Sequence, residues 1–406
     1  MMTDAAISEV SEGQGRLDEY LSMIGNVLGH KKRRECFATY AMGLLGEGAR
    51  KSVEPIACRA CADPEKADAA HQRLLHFVGQ SEWSDREVRR AATRYAVDVM
   101  AACEPVRAWI FDDTGFLKQG KHSVGVQRQY TGSAGKITNC QIGVSLTLAT
   151  ASAHVPVDFE LYLPEQWVED AALREQAGIP DEVTFKTKIE LALGMFARAV
   201  EDKVPGDLVL ADSFYGDAIE FRDTVRVHGF DYAVGVASST LVRCGDGRGF
   251  RSEPESARDI ARRLGPGAFR KVTWREGTKA TLASHFAFRR VRIAGKTSFD
   301  ESVWLVVEWP AGESEPTRYH LTTLGTRMTK REIVRLLKER YRTEVAYHEL
   351  KDGLGLDHFE GRSFRGWHHH VSVALCCYAF VVAERLRHFP PSRSRPSASR
   401  AHPRAA

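Results

Sequence analysis

The chain has no apolar run long enough to cross a membrane, no apolar core near its N-terminus, no cysteine framework and little net charge. Its longest apolar stretch, VSVALCCYAFVVA at 371–383, falls short of the roughly 18 to 20 residues a span needs, and is read as a buried helix. MMTDAAISEVSEGQGRLDEY at the start lacks the basic cluster and apolar segment of a secretory signal, so a cytoplasmic protein with no membrane partner is expected. A formal net charge of +4 is too small to attract a polyanion by the whole field, which leaves that task to local patches. The eight cysteines, at 36, 58, 61, 103, 140, 244, 376 and 377, are scattered as reduced thiols are. Cys58 and Cys61 form a lone CxxC without a second pair or an HxxxH at finger spacing, and read as helix-packed thiols rather than zinc ligands.

What is present is the composition of a globular protein, 43% hydrophobic and 27% charged over 406 residues, enough for two or three domains. Residues 16–104 carry apolar side chains at three- and four-residue spacing, as in DREVRRAATRYAVDVMAAC, which predicts a helical N-terminal domain over 1–105. Ser84 and Asp85 look like a helix start, and HKKRRE at 30–35 is a basic patch. From 107 the period changes to that of strands, in RAWIFDD, NCQIGVSLTLAT and HVPVDFELYL, followed by alternating helix and strand up to about 236. That order predicts a mixed α/β sheet. A β-rich stretch over 237–325 reads as an insertion, helix resumes over 326–388 from a capping start at Thr329, and the Pro-, Ser- and Arg-rich tail from 389 to 406 is expected to be disordered.

Three acids stand out. Asp113 follows the strand WIFD, Asp212 ends the strand LVLAD, and Glu344 lies within the helical run KREIVRLLKERYRTEVAYHELKDG. Carboxylates gathered in this way suit Mg²⁺ or Mn²⁺. Adjacent strand residues face opposite sides, so only one of Asp112 and Asp113 can join the cluster, and alternation alone does not say which. Arg340, Glu344, Tyr347 and Lys351, spaced four, three and four apart, share one helix face, which is either a solvent side or the lining of a charged site. His368, His369 and His370 lack the i, i+4 spacing of a metal pair and read as a polar helix start.

The stretches DDTGFLKQGKHSVGVQRQYTG, VLADSFYG and RYRTEVAYHELKDGLGLDHFEGRSFRGWHHH, taken in that order, resemble the DDE transposases of bacterial insertion sequences, in the branch with a β-rich insertion before the catalytic Glu and a Tyr-Arg-Glu-Lys signature around it. The resemblance runs from about residue 50 to 385. It implies an RNase H-like mixed sheet as catalytic core (106–236 and 326–388), with Asp113, Asp212 and Glu344 as catalytic residues holding two Mg²⁺ or Mn²⁺ ions. On this reading Asp113 faces the metals and Asp112 points away, the reverse register remaining open. Arg340 and Lys351 match the signature Arg and Lys, the signature Tyr falls at Leu337, and Tyr215 matches a frequent aromatic of the family. Arg340, Lys351 and the basic loop of Lys118, Lys121, His122 and Arg128 are expected to bind phosphates, each contact adding about 0.9 to the salt slope. In related transposases the insertion can hold a flipped base, which Trp274, Trp304 or Trp309 would stack.

The implied activity is metal-dependent DNA cleavage at the ends of an insertion sequence and strand transfer into a target, on double-stranded DNA and as a homodimer. Two other readings stand beside it: an inactive relic that binds DNA without cutting, and a glycosidase with paired carboxylates, which leaves the Arg and Lys beside Glu344 unexplained.

Overall fold

The computed structural model describes residues 4–61, 63–245, 249–276, 281–325 and 328–391; part of the Gly- and Arg-rich loop after Cys244 and the tail beyond residue 391 lie outside the described residues. Five helices come first: α1 (Asp4–Val27), α2 (Lys31–Leu45), α3 (Val53–Ala60), α4 (Ala67–Gly79) and α5 (Asp85–Cys103). Helix α5 starts where the sequence places it, with the Ser84 hydroxyl accepting from the Glu87 amide at 3.2 Å. Strands β1 (Ala108–Leu117), β2 (Gln127–Thr131), β3 (Lys136–Ala149) and β4 (His154–Tyr162) follow, then α6 (Glu165–Glu169), α7 (Ala171–Ala177) and α8 (Lys188–Glu201). After them run β5 (Leu208–Ala211), α9 (Ser213–Gly216), α10 (Ile219–Val227), β6 (Asp231–Val236), β7 (Leu241–Cys244), β8 (Glu255–Ser256) and α11 (Ala257–Leu264). The chain continues through β9 (Arg270–Glu276), β10 (Thr281–Ile293), β11 (Ser302–Trp309) and β12 (Arg318–Thr322) to α12 (Lys330–Lys338), α13 (Tyr341–His348) and α14 (Phe364–His388).

The strands form one mixed α/β sheet in the order β2-β3-β1-β5-β6-β12-β11-β10-β7-β8, with β4 on β3 and β9 on β10. Strands β1, β5 and β6 are parallel, and β3 is antiparallel to β1. The β-rich stretch after β6 is not a separate layer: β12 pairs antiparallel with β6, with His320 opposite Gly235, so the sheet continues across it.

Alternation along β1 assigns its two faces. Trp109 and Phe111 pack against Phe196 of α8, and Phe111 also meets Phe221 of α10. Ala108 and Ile110, on the opposite face, share a buried cluster with Ile333, Val334 and Leu337 of α12. The helical run that the sequence extends from Thr329 to Gly353 is interrupted. A capping box of Thr329 and Glu332 opens α12, but Glu339, Arg342 and Thr343 donate to carbonyls three residues back, which tightens the chain between α12 and α13. Beyond α13 it loosens into a single π-helical turn, Glu349–Gly353, a form frequent at functional sites.

Helix α14 is the second hub. It is buried along most of its length, packs on α5, α2, α4 and β4, and contains the 371–383 run. No described helix is long and apolar enough to cross a membrane. The three histidines near its start are buried and diverge. His369 stacks on Trp83 at 3.6 Å between centroids, His370 meets the Tyr40 hydroxyl at 2.9 Å, and His368 lies 3.6 Å from Glu160.

Candidate active site

Over the middle of β1, the sheet and α13 enclose an open cleft of about 570 Å³ lined by Asp112, Asp113, Thr114, Ser133, Arg340, Glu344, Tyr347 and Lys351. Residues of α13 meet β3 through paired hydroxyls, Tyr347 with Ser145 at 2.6 Å and Thr343 with Thr147 at 2.9 Å. Of the polar helix face noted in the sequence, Tyr347 and Lys351 turn to the sheet, while Glu344 is exposed at the rim of the cleft.

The neighbouring aspartates both border the cleft but point to opposite faces of β1. Asp112 lies opposite Ser145 in the β1–β3 ladder and follows Ala108 and Ile110 onto the α13 face. There Arg340 Nη1 donates to Asp112 Oδ2 at 2.5 Å while Nη2 donates to Glu344 Oε1 at 2.6 Å. Asp113 follows Trp109 and Phe111, and its Oδ2 receives Lys188 Nζ of α8 at 2.8 Å. The reason is register: once Ser145 meets Tyr347, period-two alternation leaves only Asp112 on that side.

Asp212 stands one residue past β5, whose Ala211 pairs with Phe111, and so borders Asp112 and Asp113 across the parallel ladder. Its Oδ1 accepts from the Phe214 and Tyr215 amides at 2.9 and 3.4 Å, closing the turn of α9. Burial pushes Asp112 up to about 7, Arg340 opposing and Asp212 adding to the rise. Burial raises Asp212 too, with Asp113 contributing. Burial works against the charge on Arg340, yet Asp112, Glu344 and Asp212 together hold its pKa up. The site is thus a knot of carboxylates short of positive charge, for which one guanidinium is the nearest counterion.

Among the described residues no three His, Cys, Asp or Glu groups stand close enough to hold a metal ion as they are. The donor set nonetheless fits a hard divalent cation: Asp112 and Asp212 both gain proton affinity from burial and from neighbouring carboxylates, which is the environment such a cation relieves. Arg340 fills the gap between Asp112 and Glu344, paired with both.

The basic residues divide. Lys351 Nζ donates to Thr114 Oγ1 at 2.9 Å and the Gly115 carbonyl at 2.7 Å, fixing the end of β1, with Ser133 of the β2–β3 turn at 3.3 Å. Lys118 is turned inward, its amine on the Phe359 carbonyl at 2.7 Å, so it is not placed to hold a phosphate as expected. Lys121, His122 and Arg128 are exposed. Trp274, Trp304 and Trp309 are half-buried, packed edge-on against Phe286, Phe288 and Phe269 respectively. Sequence reasoning missed Lys188 and Ser133; the basic run FKTK before α8 was the available signal for Lys188, and none marked Ser133.

A family model described as DDE superfamily endonuclease matches residues 24–281, a span that holds Asp112, Asp113 and Asp212. A probable transposase for insertion sequence element IS701 from Microchaete diplosiphon is 27% identical over 227 residues, 56% of this chain and 55% of that protein. The chain therefore matches about half the length of that relative.

Proposed function

The chain belongs to the DDE superfamily endonucleases, and from that premise we propose that it is the transposase of an insertion sequence, cutting DNA at the element's ends and joining the freed 3′ ends to a target. The observation that carries the reading is Arg340 bridging Asp112 and Glu344 in an open cleft, with Asp212 near enough to act on the charge of both Asp112 and Arg340. Asp112 takes the ligand position that the resemblance gives to Asp113, with Asp212 and Glu344 completing the set. Divalent cations held there, Mg²⁺ or Mn²⁺ and two in number, would activate water or a 3′-hydroxyl and stabilise the leaving oxygen of the phosphodiester.

The protein groups do the rest. A phosphate entering the cleft offers Arg340 a partner in place of Asp112 and Glu344, and a guanidinium suits phosphate oxygens by its fork of donors. Lys351 braces Thr114 and the hairpin turn, so the floor under the acids stays fixed. Asp113, held by Lys188, anchors β1 to α8 at the edge of the cleft. Lys121, His122 and Arg128 carry the flanking backbone. On this reading β1–β6 with α12–α14 form the RNase H-like core, residues 237–325 the insertion, and residues 1–105 a DNA-binding unit, with two chains joining two ends in the cytoplasm.

The test is cutting of a duplex that carries the element's own end, in Mg²⁺ against EDTA, by the wild type and by Asp112→Asn, Asp212→Ala and Glu344→Gln. Metal-dependent cutting that survives in Asp212→Ala or Glu344→Gln sinks the proposal, and binding without cutting in the wild type turns it into the relic.

A further inference from the structure

The basic run His30–Glu35 has no part in the carboxylate site, yet it borders a cleft of its own. Helices α2 and α4 enclose an open space of about 670 Å³, lined by Lys32, Arg33 and Cys36 on one wall and by Gln72, Arg73 and His76 on the other. The walls are tied together. Cys36 Sγ donates to the Arg73 carbonyl at 3.9 Å, Phe77 stacks on Trp83 at 5.3 Å between centroids, and Arg365 at the head of α14 donates to the Gln80 carbonyl at 2.7 Å.

The charge in this cleft is unbalanced. Lys31, Lys32, Arg33 and Arg34 follow one another with no acid among them. Lys31 reaches Glu35 at 3.9 Å, and Arg34 turns onto the Gly29 carbonyl at 2.7 Å. Among the described residues Lys32, Arg33 and Arg73 have no carboxylate partner. The acid on the lining, Glu82, is largely exposed and stands 4.0 Å from Arg365. Cations gathered round one concave space repel each other, and a bound polyanion removes that repulsion.

The wall between the cations carries hydrogen-bonding groups. Gln72 and His76, four residues apart, share the exposed face of α4, and Gln80 stands just past its end. His76 Nδ1 meets Ser81 Oγ at 3.0 Å, which leaves Nε2 for a ligand. Cations at the rim with amides between them is the division that duplex DNA calls for: the cations hold phosphates and set the register, and a Gln amide pairs with the N6 and N7 edge of adenine in the major groove. A small anion or an acidic peptide needs only the cations and gives the amides no task. Contacts also lead from this cleft to the carboxylates. Arg362, exposed and three residues before Arg365, accepts at its carbonyl from the Val124 amide at 3.0 Å, in the loop that carries Lys121 and follows β1.

We propose that the α2–α4 cleft reads the base sequence of the element's end, with Gln72 and His76 on base edges and Lys32, Arg33 and Arg73 on phosphates, and that the duplex continues over Arg365 and Arg362 to the acids. This rests on the transposase reading and names the residues that decide which end is chosen.

The test is binding by the full chain in EDTA, read by fluorescence anisotropy, of two duplexes of equal length, the element's own end and a scrambled one. The wild type prefers its own end. Gln72→Ala cuts that preference about five- to a hundredfold, binds the scrambled duplex as before and keeps the wild-type salt slope; because Gln72 is exposed, its urea midpoint stays in place. Lys32→Ala and Arg33→Ala weaken both duplexes alike, and each lowers the salt slope by about 0.9. Preference and slope left unchanged by all three substitutions, a loss in Gln72→Ala that falls equally on both duplexes, or a wild type that binds both equally overturns the proposal and leaves the transposase reading standing. A wild type that binds neither duplex removes both.

Discussion

Replacing Asp112 and Asp113 separately by Asn should move stability in opposite directions. Asp112 is buried and its pKa rises from 3.8 to about 7, so its proton is held more tightly in the folded chain than in the unfolded one. For an acid of that kind the stability it contributes is whole below about pH 4 and is lost as pH climbs towards 7. The full shift corresponds to up to roughly 4 kcal/mol above pH 7. Asp112→Asn cannot ionise, so at pH 8 and without divalent metal it should unfold at higher denaturant than the wild type, by about 2 kcal/mol or more after the weaker bond to Arg340 is allowed for, and the gain should vanish at pH 4. Asp113→Asn breaks the half-buried pair with Lys188 and should be destabilised by about 1 kcal/mol. Urea unfolding in EDTA at the two pH values reads both effects. Adding Mg²⁺ should stabilise the wild type and not Asp112→Asn, since a ligand that binds only the native state raises its stability. Loss of stability in Asp112→Asn at pH 8, or DNA cutting abolished by Asp113→Asn alone, would refute the register on which the site is built.

Lys121→Ala should lower the salt slope of DNA binding by about 0.9, whereas Lys118→Ala should leave the slope alone and destabilise the fold by about 1 to 3 kcal/mol, the cost of orphaning the Phe359 carbonyl; equal slopes for the two variants contradict this division. Lys51 is buried and donates to the Leu44 and Gly353 carbonyls at 2.5 and 2.6 Å, so Lys51→Met should cost about 2 to 4 kcal/mol, seen as a lower urea midpoint. Burial pushes His369 and His370 down to about 4. Stability should therefore hold above pH 6.5 and fall as pH drops towards 4, by up to about 3 kcal/mol for each ring. A stability curve that stays flat to pH 4 would show that these rings are not buried neutral.

Local pattern made much of this legible. The helix start at Ser84, the capping box at Thr329 and the buried 371–383 run all depend on residues a few positions apart, where propensity and period act directly. The facing of Asp112 and Asp113 does not. Alternation separates the two side chains, but the choice between them is made by Ser145 and Tyr347, which belong to other elements. Lys118 shows the same limit: its sequence neighbours are basic and polar, and its partner is a carbonyl beyond residue 350. The break between α12 and α13 carries no Pro or Gly to announce it and follows from packing Arg340 under the acids. The β-rich stretch reads as an insertion because its period differs, while its edge pairing with β6 is a property of backbone geometry that side-chain pattern does not encode.

Helix α14 sets a schedule for synthesis. The Tyr20 hydroxyl bonds the Cys376 carbonyl at 2.7 Å, Trp83 stacks on His369, and α5 has α14 as its principal partner. The early helices therefore leave the ribosome with the surfaces that meet α14 uncovered and wait until the chain has been made to residue 388. At about 5 to 20 residues per second that interval is on the order of tens of seconds, long enough for chaperones to engage. A chain terminated before residue 364 would lack Phe364–His388, so it would strand the early helices without their seat. Such a product should be cleared by proteolysis rather than persist as a competing DNA-binding fragment.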